Sequence, residues 1–116
     1  MHTQRFKFRA RLTVGDAIAL GPGKVALLEA LQQYGSISAA AQSLGMSYRR
    51  AWLLIDELNR CLREPAVQSA TGGSKGGGSQ LTPTGLAIVA LYRRIEATAE
   101  QACTDDIAAL KAFMQS

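Results

Sequence analysis

Ser47-Tyr48-Arg49-Arg50 sets a hydroxyl, a phenol and two guanidinium groups side by side. This is donor chemistry: a guanidinium fork fits paired acceptors such as two phosphate oxygens or the O6/N7 edge of guanine. Ser36 and Ser38 flank Ile37, and hydroxyls beside the free N–H groups of a helix start suit an anionic oxygen. Between Thr71 and Ser79 a single cation, Lys75, stands among five glycines. Glycine lets backbone N–H groups come close to a phosphate or a groove wall. Arg60 lies three turns beyond Arg49 and adds a further cation.

Other chemistries lack their parts. One histidine, His2, and two cysteines, Cys61 and Cys103, show no CxxC or Cys/His spacing, so no metal is expected and the thiols read as buried and unbridged. Gly21-Pro22-Gly23-Lys24 is not a phosphate-binding loop, because no glycine stands five residues before Gly23 and Val25 occupies the hydroxyl position. With no nucleophile–base pair and no clustered carboxylates, neither an enzyme nor a cofactor is expected.

Composition bounds the rest. A chain of 116 residues, 47% hydrophobic and 19% charged, is the size and balance of one globular domain spanning 1–116. No apolar run approaches the ~18 residues of a membrane span. The start, Met1 to Lys7, alternates charge and does not read as a secretion signal, so a cytoplasmic location is expected. A net charge of +4 is compatible with a polyanion partner.

The donor groups need elements to hold them. Phe6, Phe8, Ala10, Leu12 and Val14 alternate with Arg5, Lys7, Arg9 and Arg11, which predicts a strand with one apolar and one cationic face. That cationic face reads either as a protected edge or as a strip near a phosphate backbone. Gly15-Asp16 turns the chain into a return strand at Ala17–Leu20, and Pro22 or Gly23 opens a helix. Leu27, Leu28, Leu31 and Tyr34 share one side of that helix, and Gly35 stops it. A short second helix follows Ser36, with small Ala39, Ala40 and Ala41 allowing close approach and Gly45 as a left-handed stop. Met46 plugs the core. Ser47 caps a third helix running to about Arg63, its buried stripe Ala51, Leu54, Ile55, Leu58 and Leu62.

Arg49, Leu53, Asp56 and Arg60 face away from that stripe, with Arg50 on a flank. Trp52 reads as core or partial core. Leu53 is open to three readings: a surface leucine, a thymine-methyl contact or a protein contact. Cations at a helix start oppose the helix dipole, which implies an external anion beside Arg49 and Arg50. After Pro65, Ala66–Thr71 and Ser79–Leu81 read as two short strands around the glycine-rich run. Thr82-Pro83 caps a final helical stretch, with Ile88, Leu91, Ile95, Ala99, Ala102, Leu110 and Phe113 as its apolar residues. Whether it is one helix or two, restarting at Thr104, stays open.

The order predicts a mainly α fold with small β elements: a winged helix-turn-helix with an N-terminal β-hairpin and a C-terminal dimerisation helix. The reading head covers about 21–83 and the helical arm 84–116. The expected function is sequence-specific binding of double-stranded DNA by a homodimer. The third helix enters the major groove, and the wing lies on the backbone or minor groove. The apolar residues of the arm, Ile88 to Phe113, form the dimer interface. The alternative is a winged-helix adaptor that binds protein.

Gly21-Pro22-Gly23-Lys24, Leu27-Leu28-Glu29-Ala30, Gly35-Ser36-Ile37-Ser38-Ala39-Ala40-Ala41, Leu44-Gly45-Met46-Ser47-Tyr48-Arg49-Arg50-Ala51-Trp52, Ala70-Thr71-Gly72-Gly73 and Leu81-Thr82-Pro83-Thr84-Gly85 together resemble the N-terminal domain of ModE-type molybdate-responsive regulators. The likeness runs from Leu12 to Tyr92, and a shorter part resembles the LysR-type helix-turn-helix. The resemblance implies a winged-helix dimer on a near-palindromic operator. It makes Ser47, Tyr48, Arg49, Arg50 and the 71–79 wing the DNA contacts. Full-length members carry C-terminal oxyanion-binding domains and this sequence ends at Ser116. It therefore resembles a stand-alone reading head that is not expected to sense molybdate through a site of its own, regulation coming from the protein's level, from a separate oxyanion-binding protein or from another ligand.

Overall fold

The computed structural model describes residues 3–70 and 78–115. Strands β1 (Leu12–Val14) and β2 (Ala17–Leu20) form an antiparallel hairpin. Helices α1 (Pro22–Tyr34), α2 (Ile37–Ser43) and α3 (Tyr48–Cys61) follow. A second antiparallel hairpin, β3 (Val67–Ala70) with β4 (Gly78–Leu81), precedes α4 (Pro83–Ala102) and α5 (Thr104–Lys111). This is the winged helix-turn-helix order, mainly helical with two small β-hairpins.

The core sits among the first three helices and the base of the second hairpin. Leu27, Leu28 and Leu31 of α1 are fully buried against Ala40 and Ala41 of α2, Ala51, Ile55 and Leu58 of α3, and Ala66 and Val67. The alanines of α2 carry little bulk, so its backbone lies close to both neighbours. Between α2 and α3, Gly45 adopts φ +68°, the left-handed stop expected of it. Met46 packs half-buried on the core. Pro22 stands at the first turn of α1 and Pro83 at that of α4, where the missing N–H costs nothing. Thr82 caps α4 by accepting from Gly85 N at 3.1 Å. A Cβ at Gly85 would lie 2.2 Å from the Ala66 carbonyl oxygen, so only glycine lets α4 dock here.

Several expectations need correcting. The first strand covers only Leu12–Val14, because its partner β2 is four residues long and leaves Phe6–Arg11 nothing to pair with. Tyr34 is exposed at the end of α1 and not part of its buried side. Trp52 is 46% exposed and not core, because it faces the second hairpin across an open hollow lined also by Ile37, Asn59 and Val67. Cys61 and Cys103 are free but only half-buried. The final helical stretch is two helices broken at Cys103. There the Thr104 hydroxyl donates back to the Gln101 carbonyl at 2.9 Å and the Glu100 carbonyl at 3.2 Å. Asp105 and Asp106 then fall in the first turn of α5, where the helix dipole favours them.

Among the described residues, no helix is long and apolar enough to cross a membrane. The radius of gyration is 17.0 Å, against about 13 Å for a compact chain of this length. The excess comes from an elongated outline of 56 × 32 × 24 Å.

Candidate nucleic-acid interface

Local chemistry places the donors at two helix starts. Ser36 Oγ accepts from Ala39 N at 3.1 Å and caps α2, while Ser47 Oγ accepts from Arg50 N at 3.1 Å and caps α3. Each cap satisfies one orphan N–H and leaves the others of that turn facing outward. Ser38, Tyr48, Arg49 and Arg50 are exposed. Among the described residues no ion pair engages Arg49 or Arg50. Arg60 is also exposed, but its Nε donates to Asp56 Oδ2 at 2.8 Å one turn back.

Ser36, Ser38 and Tyr48 meet Ser69, Gly78 and Ser79 around one open hollow of about 300 Å³. The start of α2, the start of α3 and the base of the β3–β4 hairpin therefore converge. Arg60 lies away from this group, three turns along α3. Thr71 and Lys75 fall outside the described residues.

Two anchors hold the hairpins beside α3, and sequence reading missed both. Asn59 of α3 accepts from Ala66 N at 2.8 Å and donates to the Val67 carbonyl at 3.2 Å. Ser79 N donates to the Gly35 carbonyl at 3.1 Å, tying β4 to the end of α1. On the other side the ammonium of Lys24 donates to the Ile18 carbonyl of β2 and to Glu57 of α3. Asn59 left one signal, a polar residue at the edge of an apolar stripe. Lys24 left none, since its partner stands 33 positions away.

At about 100° per residue, these anchors fall on opposite flanks of α3. Trp52 and Asn59 point to the β3–β4 hairpin, Arg50 and Glu57 to the β1–β2 hairpin. Arg49, Leu53 and Arg60 point outward between them.

The other end of the head meets the arm. Arg93 donates from Nε to Glu29 Oε2 at 3.0 Å and from Nη1 to Glu96 Oε1 at 2.6 Å. The hydrogen bond from Arg93 holds the Glu29 carboxyl below its ordinary range, with burial opposing, and both carboxylates push the Arg93 pKa further up. Tyr92 is buried and its hydroxyl donates to the Ala10 carbonyl at 2.8 Å. Burial raises its pKa, with Glu96 adding to the shift and Arg93, Arg9 and Arg11 opposing it. Of the residues expected to pair two copies, Ile88 packs on the head's own core and Ala99 is half-buried. Leu91, Ile95, Ala102, Leu110 and Phe113 are exposed. Leu91 and Ile95 line an apolar hollow of about 390 Å³ with Leu12 and Leu20.

Residues 23–86 match the model of the bacterial regulatory helix-turn-helix proteins of the lysR family. The chain is 43% identical over 96 residues to the molybdenum transport protein ModE of Azotobacter vinelandii, covering 83% of this chain and 36% of that protein. It is 47% identical over 78 residues to the molybdenum-pterin-binding protein MopB of Rhodobacter capsulatus, covering 67% of this chain and 29% of that one. It is 41% identical over 71 residues to the DNA-binding transcriptional dual regulator ModE of Escherichia coli K12, covering 61% of this chain and 27% of that one. In each case the match spans about a third or less of the relative's length.

Proposed function

This chain belongs to the lysR family of bacterial regulatory helix-turn-helix proteins, and from that premise we propose that it is a sequence-specific DNA-binding transcriptional regulator. The observation that carries the reading is the convergence of the α2 start, the α3 start and the base of the second hairpin, with Arg49 and Arg50 exposed beside them. In this reading α3 enters the major groove with its N-terminal residues on base edges. Ser36 and Ser38 bind phosphate, and the 71–79 wing lies on the backbone or minor groove. The exposed apolar residues of α4 and α5 pair two copies, placing two α3 helices about 34–36 Å apart on a near-palindromic site.

The test is selection of bound fragments from a genomic library, followed by anisotropy titration of Arg49→Ala and Arg50→Ala. Each substitution should cost about 1–3 kcal/mol on the selected site and relax discrimination at one position. Equal loss on selected and random DNA would reassign them to phosphate. Trp52 and Leu53 are exposed on or beside the outward face of α3, which would suit a protein partner. Only weak, sequence-independent DNA binding by the parent chain would favour that adaptor reading.

Some relatives are named for molybdenum. In this chain the converging hydroxyl and N–H donors are the ones assigned to DNA phosphate. Calorimetry with molybdate should therefore be flat, and a stoichiometric micromolar isotherm would overturn that assignment.

A further inference from the structure

We propose that Leu53 is a specificity-determining residue, its side chain packing on the C5-methyl group of a thymine in the major groove. The proposal rests on the DNA-binding reading above and adds one base identity to it.

The buried residues Ala51, Ile55 and Leu58 fix the inward side of α3. Leu53 lies within about 20° of the opposite direction at about 100° per residue, and it is 47% exposed. Its neighbours on that ridge are charged. Arg49 stands one turn before it, and Asp56 and Arg60 stand beyond it, closed on each other through the bond from Arg60 Nε to Asp56 Oδ2. The exposed rings of α3 are turned elsewhere: Tyr48 and Trp52 line the hollows against the second hairpin. Leu53 is thus the apolar side chain that α3 presents straight outward, beside a free guanidinium.

Its position along the helix selects the target. Leu53 is the sixth residue of α3, within the first two turns, from which recognition helices reach base edges. Four residues at a rise of about 1.5 Å carry it about 6 Å past Arg49, less than two base-pair steps of about 3.4 Å. Every base edge in the major groove offers donors or acceptors, and thymine alone adds an apolar group, its C5-methyl. Over any other base Leu53 would cover polar atoms without giving them a partner. Over thymine it buries a methyl group against its own. The thymine should therefore lie one or two base pairs from the base that Arg49 meets.

The test replaces each thymine of the selected site in turn by deoxyuridine, which deletes the methyl group and keeps the hydrogen-bonding edge. For the parent chain, affinity should fall about fourfold at one thymine of each half-site, the worth of one buried methyl group. Leu53→Ala should bind the unmodified site more weakly by a similar factor and be indifferent to the exchange at that thymine. Leu53→Gln, polar and of similar length, should lose the same discrimination, and it answers the question should the alanine variant fail to fold. Parent-like affinity in the folded variants would overturn the proposal and return Leu53 to a protein contact or bare surface. So would variants that bind more weakly yet still discriminate thymine from deoxyuridine as the parent does. A parent chain that prefers no DNA site would instead sink the DNA-binding reading itself, and this assignment with it.

Discussion

Lys24 sits in the first turn of α1 yet is only 6% exposed, because its ammonium donates to the Ile18 carbonyl and to Glu57. Truncating it to alanine frees Glu57, which is half exposed and can return to water, but leaves the Ile18 carbonyl short of a donor. Lys24→Ala should therefore cost about 1–3 kcal/mol, read as a lower urea midpoint at unchanged slope. At Gly85 the obstacle is steric. An alanine Cβ would meet the Ala66 carbonyl oxygen at 2.2 Å, and Gly85→Ala should destabilise by about 1–3 kcal/mol through forced separation of α4 from the head. A melting temperature equal to the parent's would show that the junction yields freely. Glu29 adds a pH dependence. Its folded pKa is lowered, chiefly by the hydrogen bond from Arg93, so its stabilisation is present above the unfolded carboxylate pKa. It is lost as pH falls through the folded value. With both partners about 40% exposed (43% and 40%), screening keeps the effect below about 1 kcal/mol. Stability against pH should lose a small acid-side slope in Glu29→Gln, and an identical acid limb in both proteins would remove Glu29 from the balance.

At the scale of elements, the helices of the head were legible because each carries its own punctuation. Gly35 and Gly45 end α1 and α2, and Ser36 and Ser47 cap α2 and α3. The first strand was overread because alternation reports which side chains share a face, whereas a ladder also requires a partner of equal length. The break at Cys103 was undecidable from sequence, since no glycine or proline marks it and its device is a threonine hydroxyl bonding back to the preceding turn. Trp52 was misplaced because the helical wheel puts it at the edge of the stripe, and only the position of the second hairpin decides what covers it. The donors at the helix starts were legible as residue types, and their meeting around one hollow was not. Asn59 is the anchor of that arrangement. Asn59→Ala should weaken DNA binding without touching the outward face of α3, and should lower stability by about 1–2 kcal/mol. Unchanged DNA affinity at reduced stability would uncouple the second hairpin from the interface.

The whole molecule is longer than its core requires, and much of its exposed apolar surface lies on the arm and the first hairpin. Ile95 is 59% exposed and Phe113 85%. In the proposed dimer, a charge placed there should block pairing while sparing the head. Ile95→Glu should sediment as a monomer at micromolar concentration and protect a single half-site, and a retained dimer would move the interface elsewhere. The contacts that hold the N-terminal segment join residues 82 and 111 positions apart, and each must close most of the chain. Such closures are entropically late and rest here on two hydrogen bonds and a few rings. The segment should therefore open as a unit while α1, α2 and α3 stay folded. Limited tryptic digestion should cut at Arg5, Lys7, Arg9 and Arg11 first, and the amides of α1 and α3 should exchange only with global unfolding.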